Sequence, residues 1–168
     1  MPKIIENLRE NLLAEARRQI AECGYNTMTV RSVARACGVG VGTVYNYFAS
    51  KDALVASFML EDWNTRLTAI HAVGQYAQEP EPLLRCIYDQ LTQFEATYHV
   101  LFQDAVAASS FAGSFSTYHV LLRSQLANPI CRFCTDSFTA EFIAEALLSW
   151  TMAGKSFEEV FQIVKKLF

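Results

Sequence analysis

The sequence predicts an all-α protein of two parts, an N-terminal three-helix domain and a larger C-terminal helical domain. Three observations carry this. Apolar residues recur at helical spacing along nearly the whole chain, and no segment has the alternation of a half-buried strand. Residues that start and stop helices, Thr29, Ser50 and Ser156 on one side and Gly24, Gly38 and Gly154 on the other, fall at the ends of those periodic runs. Charge divides along the chain as well. Residues 1–51 carry seven Lys/Arg against four Asp/Glu, a net +3, while residues 52–168 carry seven against thirteen, a net −6.

The first helix places Ile5, Leu8, Leu12, Ala16 and Ile20 on one stripe, with Glu and Arg opposite, and Gly24 ends it. Thr29 caps a short second helix whose apolar positions are Val30, Val33, Ala34 and Cys37, and Gly38 follows where left-handed geometry is favoured. A third short helix carries Thr43, Val44, Tyr45, Asn46, Tyr47 and Phe48. Ser50 then caps a long helix bearing Leu54, Val55, Phe58, Met59, Trp63, Leu67 and Ile70.

Pro80 and Pro82 mark the next boundary, and Pro82 suits the first turn of a helix containing Leu83, Ile87, Leu91 and Phe94. Residues 99–108 read as a short helix, SSFAGS at 109–114 as a loop, and Tyr118 to Leu126 as a helix closed by Asn128-Pro129. A helix over about 137–153 presents Phe138, Phe142, Ile143, Ala146, Leu147 and Trp150 before Gly154 stops it. Ser156-Phe157-Glu158-Glu159 is a capping box that opens the last helix, with Phe157, Val160, Phe161, Val164, Leu167 and Phe168.

Composition bounds what the chain can do. Of 168 residues, 52% are apolar and only 18% charged, an excess that points to apolar surface buried against another chain. Phe142, Leu147, Trp150, Phe157, Phe161 and Phe168 are expected at that interface, as a helix hairpin packing on its own copy. No apolar run approaches a membrane span, and MPKIIENLRENLL is too charged for a signal peptide, so a soluble, cytoplasmic protein is expected. The odd count of five cysteines argues against a disulfide framework. Cys131-Arg-Phe-Cys134 stands without a second pair or a histidine at ligand spacing, and reads as ordinary partly buried thiols.

The glycines at 38, 40 and 42 do not make a dinucleotide fingerprint, because Tyr45 stands where the third glycine belongs and the preceding segment is helical. No nucleophile–base spacing, paired acidic constellation or metal motif supports an enzyme, and no cofactor is expected.

Helix, glycine-containing turn, then an exposed helix bearing hydroxyls and an amide is a helix-turn-helix, able to lay its second helix in the DNA major groove. Over residues 29–54 the pattern T-V-R-x-V-A-x-x-x-G-V-x-x-G-T-V-Y-x-Y-F-x-S-K-D-x-L resembles the signature of tetracycline-repressor-like (TetR) transcriptional regulators. The resemblance implies a homeodomain-like DNA-binding domain over 1–50 and an effector-binding and dimerisation domain over 51–168. It implies phosphate contacts from Thr29 and Lys51, a base or phosphate contact from Arg31, and a DNA-facing surface of Val41, Gly42, Thr43, Asn46 and Tyr47. Tyr45 falls at a position that contacts phosphate or steadies the helix, whereas Val44 and Phe48 should point into the core.

Family members often carry Ser at position 40 and a polar or basic residue at 41, where this chain has Gly40 and Val41. Glycine caps a helix nearly as well as serine, and a valine can touch a thymine methyl but cannot hydrogen-bond a base. Partners implied are double-stranded DNA with a palindromic operator, a second copy of the chain, and a small apolar or aromatic effector. Candidate effector contacts are Tyr88, Gln93, Tyr98, His99, Phe102, Tyr118, His119 and Arg123. The expected function is a repressor released by that effector. An activator, or a helical adaptor using the same fold for protein contacts, is the alternative.

Overall fold

The computed structural model describes residues 7–168, with the side chains of Ala108 and of residues 112–117 left out of the description. Eight α-helices and two 3-10 segments follow in order among the described residues: α1 Leu8–Thr27, α2 Val30–Ala36, α3 Val41–Tyr45, α4 Lys51–Tyr76, α5 Pro80–Gln103, α6 Ala105–Ile130, α7 Ser137–Met152 and α8 Phe157–Val164. The 3-10 segments are Cys131–Phe133 and Lys165–Leu167. The all-α expectation holds.

The chain packs as two compact units. One ends at Asp62 and includes Val100–Ala112, and the other comprises Trp63–His99 and Gly113–Phe168. The division between the two compact units therefore falls inside α4. Leu54, Val55 and Phe58 in the first two turns of α4 are buried, so packing extends the N-terminal unit beyond its sequence motif.

In the N-terminal unit, Leu12, Ala16 and Ile20 of α1 are buried, as are Val33 and Ala34 of α2, Val44 of α3 and Phe48 just after it. Gly24 leaves the helical region at φ 79°, as its expected stop role requires, but the chain resumes a helical turn that buries Tyr25. Ile5 lies outside the described residues.

The C-terminal unit has one core. It gathers Trp63 and Ile70 of α4, Leu83, Leu84, Ile87 and Leu91 of α5, Leu126 and Ile130 of α6, Ile143 and Leu147 of α7, and Phe157, Val160 and Val164 of α8. Burying each such large side chain contributes roughly 1.5–3 kcal/mol. Trp63 Nε1 donates to Gln125 Oε1 at 2.9 Å, and its ring meets Phe94 edge-on at 5.6 Å, so the indole is packed without leaving its polar tip unpaired.

The middle third departs from expectation. SSFAGS is not a loop, because α6 runs unbroken from Ala105 to Ile130, and the expected short helix over 99–108 is divided between α5 and α6. Asp104 supplies the break, its Oδ1 accepting from the backbone N–H groups of Val106 and Ala107 at 2.9 Å. Pro129 likewise sits inside the last turn of α6. A Cβ built on Gly74 would lie 3.1 Å from Pro129 Cβ, so a side chain at 74 would crowd α6 there.

Candidate DNA-binding site

The turn between α2 and α3 is closed by backbone geometry that Gly38 makes possible. Gly38 has φ 68°, its N–H donates to Arg35 O at 3.2 Å, and Val39 N–H donates to Ala34 O at 3.0 Å. These two bonds satisfy the last carbonyls of α2 and turn the chain into α3. Gly40 then caps α3 with extended backbone and no side-chain bond, so the cap depends on the backbone alone.

The N-terminus of α2 is held more firmly than the sequence indicated. Thr29 Oγ1 accepts from Ser32 N–H and Ser32 Oγ accepts from Thr29 N–H, both at 3.0 Å, a reciprocal capping box. Ser32 Oγ also donates to Gln19 Oε1, whose amide nitrogen donates to Glu15 at 2.7 Å. Arg18 closes the series on Glu15 at 2.6 Å, and its guanidinium holds the Glu15 carboxyl down at about 2. This polar run ties α2 to α1. Sequence reasoning missed Ser32, because Glu or Gln is the usual partner three residues after the cap, though Thr29-x-x-Ser32 was there to be read.

The presented face agrees with expectation at most positions. Thr29, Arg31, Gly42, Tyr45, Asn46 and Tyr47 are exposed, Val41 and Thr43 are half-buried, and Val44 and Phe48 are fully buried. Tyr45 and Tyr47 are about half exposed, large rings turned out of a helix whose other side is anchored in the core. Arg35 is a further exposed cation, in the last turn of α2.

Lys51 differs from the free cation the motif implied. Its Nζ donates to the carbonyl oxygen of Tyr25 and lies 3.9 Å from the centre of the Tyr25 ring. Burial pushes its pKa down. An ammonium has three donors, so a phosphate contact is still available to it, but it also fastens α4 to the end of α1.

The residues expected to contact an effector have these surroundings. Tyr88 donates its hydroxyl to Lys155 O at 3.0 Å, and His119 and Arg123 face Glu145 at 2.9 and 3.7 Å. These polar tips have partners inside the fold. Gln93 accepts from Arg66 at 3.3 Å, and Arg66 also reaches Gln90 and Thr97, a polar group that the sequence reading did not single out. Tyr98 is buried, His99 is exposed and pairs with Glu95, Tyr118 is exposed, and exposed Phe102 belongs to the N-terminal unit.

Two of the expected interface residues are also corrected. Leu147 and Phe157 are buried within their own unit, at 0% and 3% exposure, because the α7–α8 hairpin closes on α4, α5 and α6. Phe161 is half-buried and stacks on Phe157 at 5.2 Å. Phe142, Trp150 and Phe168 remain exposed, together with Phe138, Met152, Ile163 and Leu167, which the sequence reading left out of the interface. A groove of about 320 Å³ lined by Phe142, Trp150, Val160 and Ile163 runs along this face.

Comparison with known proteins fits this geometry. Residues 12–58, which include α2, α3 and the start of α4, match the family described as bacterial regulatory proteins, tetR family. The N-terminal domain is of the tetR family. Over 74 residues the chain is 38% identical to the HTH-type transcriptional repressor Rv1474c of Mycobacterium tuberculosis, a match covering 42% of this chain and 39% of that one. The chain thus matches well under half the length of that relative.

Solved structures extend the likeness of fold to the whole chain. A transcriptional regulator from Streptomyces coelicolor, SCO7518, superposes with a TM-score of 0.67 at 15% identity, covering 95% of this chain and 97% of that one. FadR from Bacillus subtilis, solved in complex with stearoyl-CoA, superposes with a TM-score of 0.53 at 18% identity, covering 94% of each chain. At these identities the likeness is one of fold.

Proposed function

We propose that this chain is a sequence-specific, double-stranded-DNA-binding transcriptional regulator acting as a homodimer. The observation that carries the reading is α3. It is a short helix held behind by Val44 and Phe48, with Thr43, Tyr45, Asn46 and Tyr47 along its other side, in a domain matched by the tetR-family model. A net +3 over residues 1–51 favours phosphate there, and the exposed Arg31 and Arg35 add charge beside the reading helix.

The exposed apolar face of α7 and α8 supports a permanent two-fold contact between copies, and two-fold symmetry implies a palindromic operator. In this reading residues 1–50 read DNA and residues 51–168 dimerise and take an effector, in a cytoplasmic protein. Among the described residues no helix is long and apolar enough to cross a membrane. Repression relieved by a small apolar or aromatic ligand is the proposed mode. The repressor named among the relatives and the stearoyl-CoA complex among the structural neighbours support it.

The test is a mobility shift with DNA from beside the protein's own gene, at two salt concentrations. Sequence preference with steep salt dependence is expected, since each phosphate neutralised contributes about −0.9 to the log–log slope. No shift at low salt would overturn the reading in favour of a protein-contact adaptor.

A further inference from the structure

We propose that Cys131 and Cys134 form a vicinal dithiol that closes to an intramolecular disulfide when a peroxide supplies the oxidising equivalents. The pair lies in the short connection between α6 and α7, away from the DNA-reading helices in sequence, and has no part in the function proposed above. Three features of the connection bring the two thiols into range.

Cys131 opens the 3-10 segment Cys131–Phe133 and Cys134 closes it, with Cys134 N–H donating to Cys131 O at 3.1 Å. A turn closed by such an i to i+3 bond holds its end Cα atoms within about 7 Å, overlapping the range a disulfide bridges. Cys131 is exposed and Cys134 is half-buried, so one thiol meets an oxidant from solvent while its neighbour is held beside it. Neither forms a bond with the other three cysteines, all of which are free thiols.

The surroundings hold the turn in place. Burial, followed by the nearby Cys131 and Asp136, pushes the Cys134 thiol up. Arg132, between them, donates to Gly74 O and Gln75 O at the end of α4, and Phe133 packs on the core. Cys134 Sγ donates to Ile130 O at 3.6 Å and packs on the same core, so the turn is fixed on its inner side while Cys131 stays open to solvent.

The reaction balances in two steps. The Cys131 thiolate attacks a peroxide oxygen, the O–O bond breaks, and a sulfenic acid and hydroxide result, the hydroxide taking up a proton as water. The Cys134 thiolate then attacks the Cys131 sulfur, an S–S bond forms, and the S–O bond breaks to release hydroxide, which takes up a proton as water. Two electrons pass from the dithiol to one peroxide.

Peptide mapping of the full chain tests this directly. The protein is treated with about one equivalent of hydrogen peroxide, its remaining thiols are alkylated, and it is digested with trypsin without reductant. Trypsin cuts after Arg132, between the two cysteines, so closure leaves residues 124–132 and 133–155 joined as one species lighter by two hydrogens. That species is expected from wild type and is expected to be absent after Cys131→Ser or Cys134→Ser. Recovery of Cys134 alkylated beside an oxygenated or alkylated Cys131 would overturn the proposal, as would pairing of Cys131 with Cys23 or with a second chain.

Discussion

The Lys51 ammonium donates to the Tyr25 carbonyl and lies over the ring of the same residue, 3.9 Å from its centre. The Tyr25 hydroxyl in turn donates to Asp52, the neighbour of Lys51. The first turn of α4 is thus fastened to the last turn of α1 by both edges of one tyrosine. Phe111 meets that ring edge-on at 6.3 Å within the same unit.

Lys51→Ala removes a partly desolvated cation–ring contact and a charged hydrogen bond together. It is expected to lower unfolding free energy by about 1–3 kcal/mol, read from urea melts. Unchanged stability would show that the ammonium serves only in solution or on phosphate.

Tyr25 also sets an alkaline limit. Burial, followed by the Asp52 bond, pushes its hydroxyl from 10 up to about 12. Between those values the unfolded chain has lost a proton that the folded protein keeps, so stability falls as pH rises through the window and is fully present below pH 10. Lys51 works in the other direction. Its lowered pKa makes stability rise with pH up to its ordinary 10.5, so the decline above that value belongs to Tyr25. Melts of wild type and Tyr25→Phe across this range should differ in slope above pH 10.5, with the variant flatter. Parallel curves would contradict the assignment.

The α7–α8 hairpin divides into residues buried in the core and apolar residues left exposed, the proposed face for a second copy. Trp150→Glu alters an exposed site and is expected to give a folded protein that light scattering reports as a monomer. Leu147→Ala opens a cavity in the C-terminal core and should cost about 2–5 kcal/mol while leaving the exposed face intact. A dimer that survives Trp150→Glu unchanged would place the contact elsewhere.

Much of the fold was legible because its signals are local. Thr29, Gly38, Ser50, Ser156 and Gly154 act within four residues of themselves; Ser50 Oγ accepts from Ala53 N–H at 3.0 Å, and Ser156 and Glu159 cap each other reciprocally. Val44 of α3 and Phe48 just after it, four residues apart, are the inward pair that the family resemblance implied. What the sequence hid depends on distant partners. Nothing near Lys51 shows that Tyr25, 26 residues earlier, holds it. Nothing in α7 says which of its apolar residues α4, α5 and α6 cover. Residues 109–114 were misread because serine and glycine usually mark loops, whereas Asp104 begins a helix that carries through them.

The central claim is that α3 reads DNA bases, and equilibrium binding of wild type and Asn46→Ala to a selected operator and to random duplex tests it most directly. Asn46 is exposed at the C-terminal end of α3, and a side-chain amide can bond an adenine edge at two points. Wild type is predicted to prefer the operator. The variant should lose about 1–3 kcal/mol on it while binding random duplex as wild type does. Equal loss on both duplexes, or a wild type that does not distinguish them, would contradict the claim.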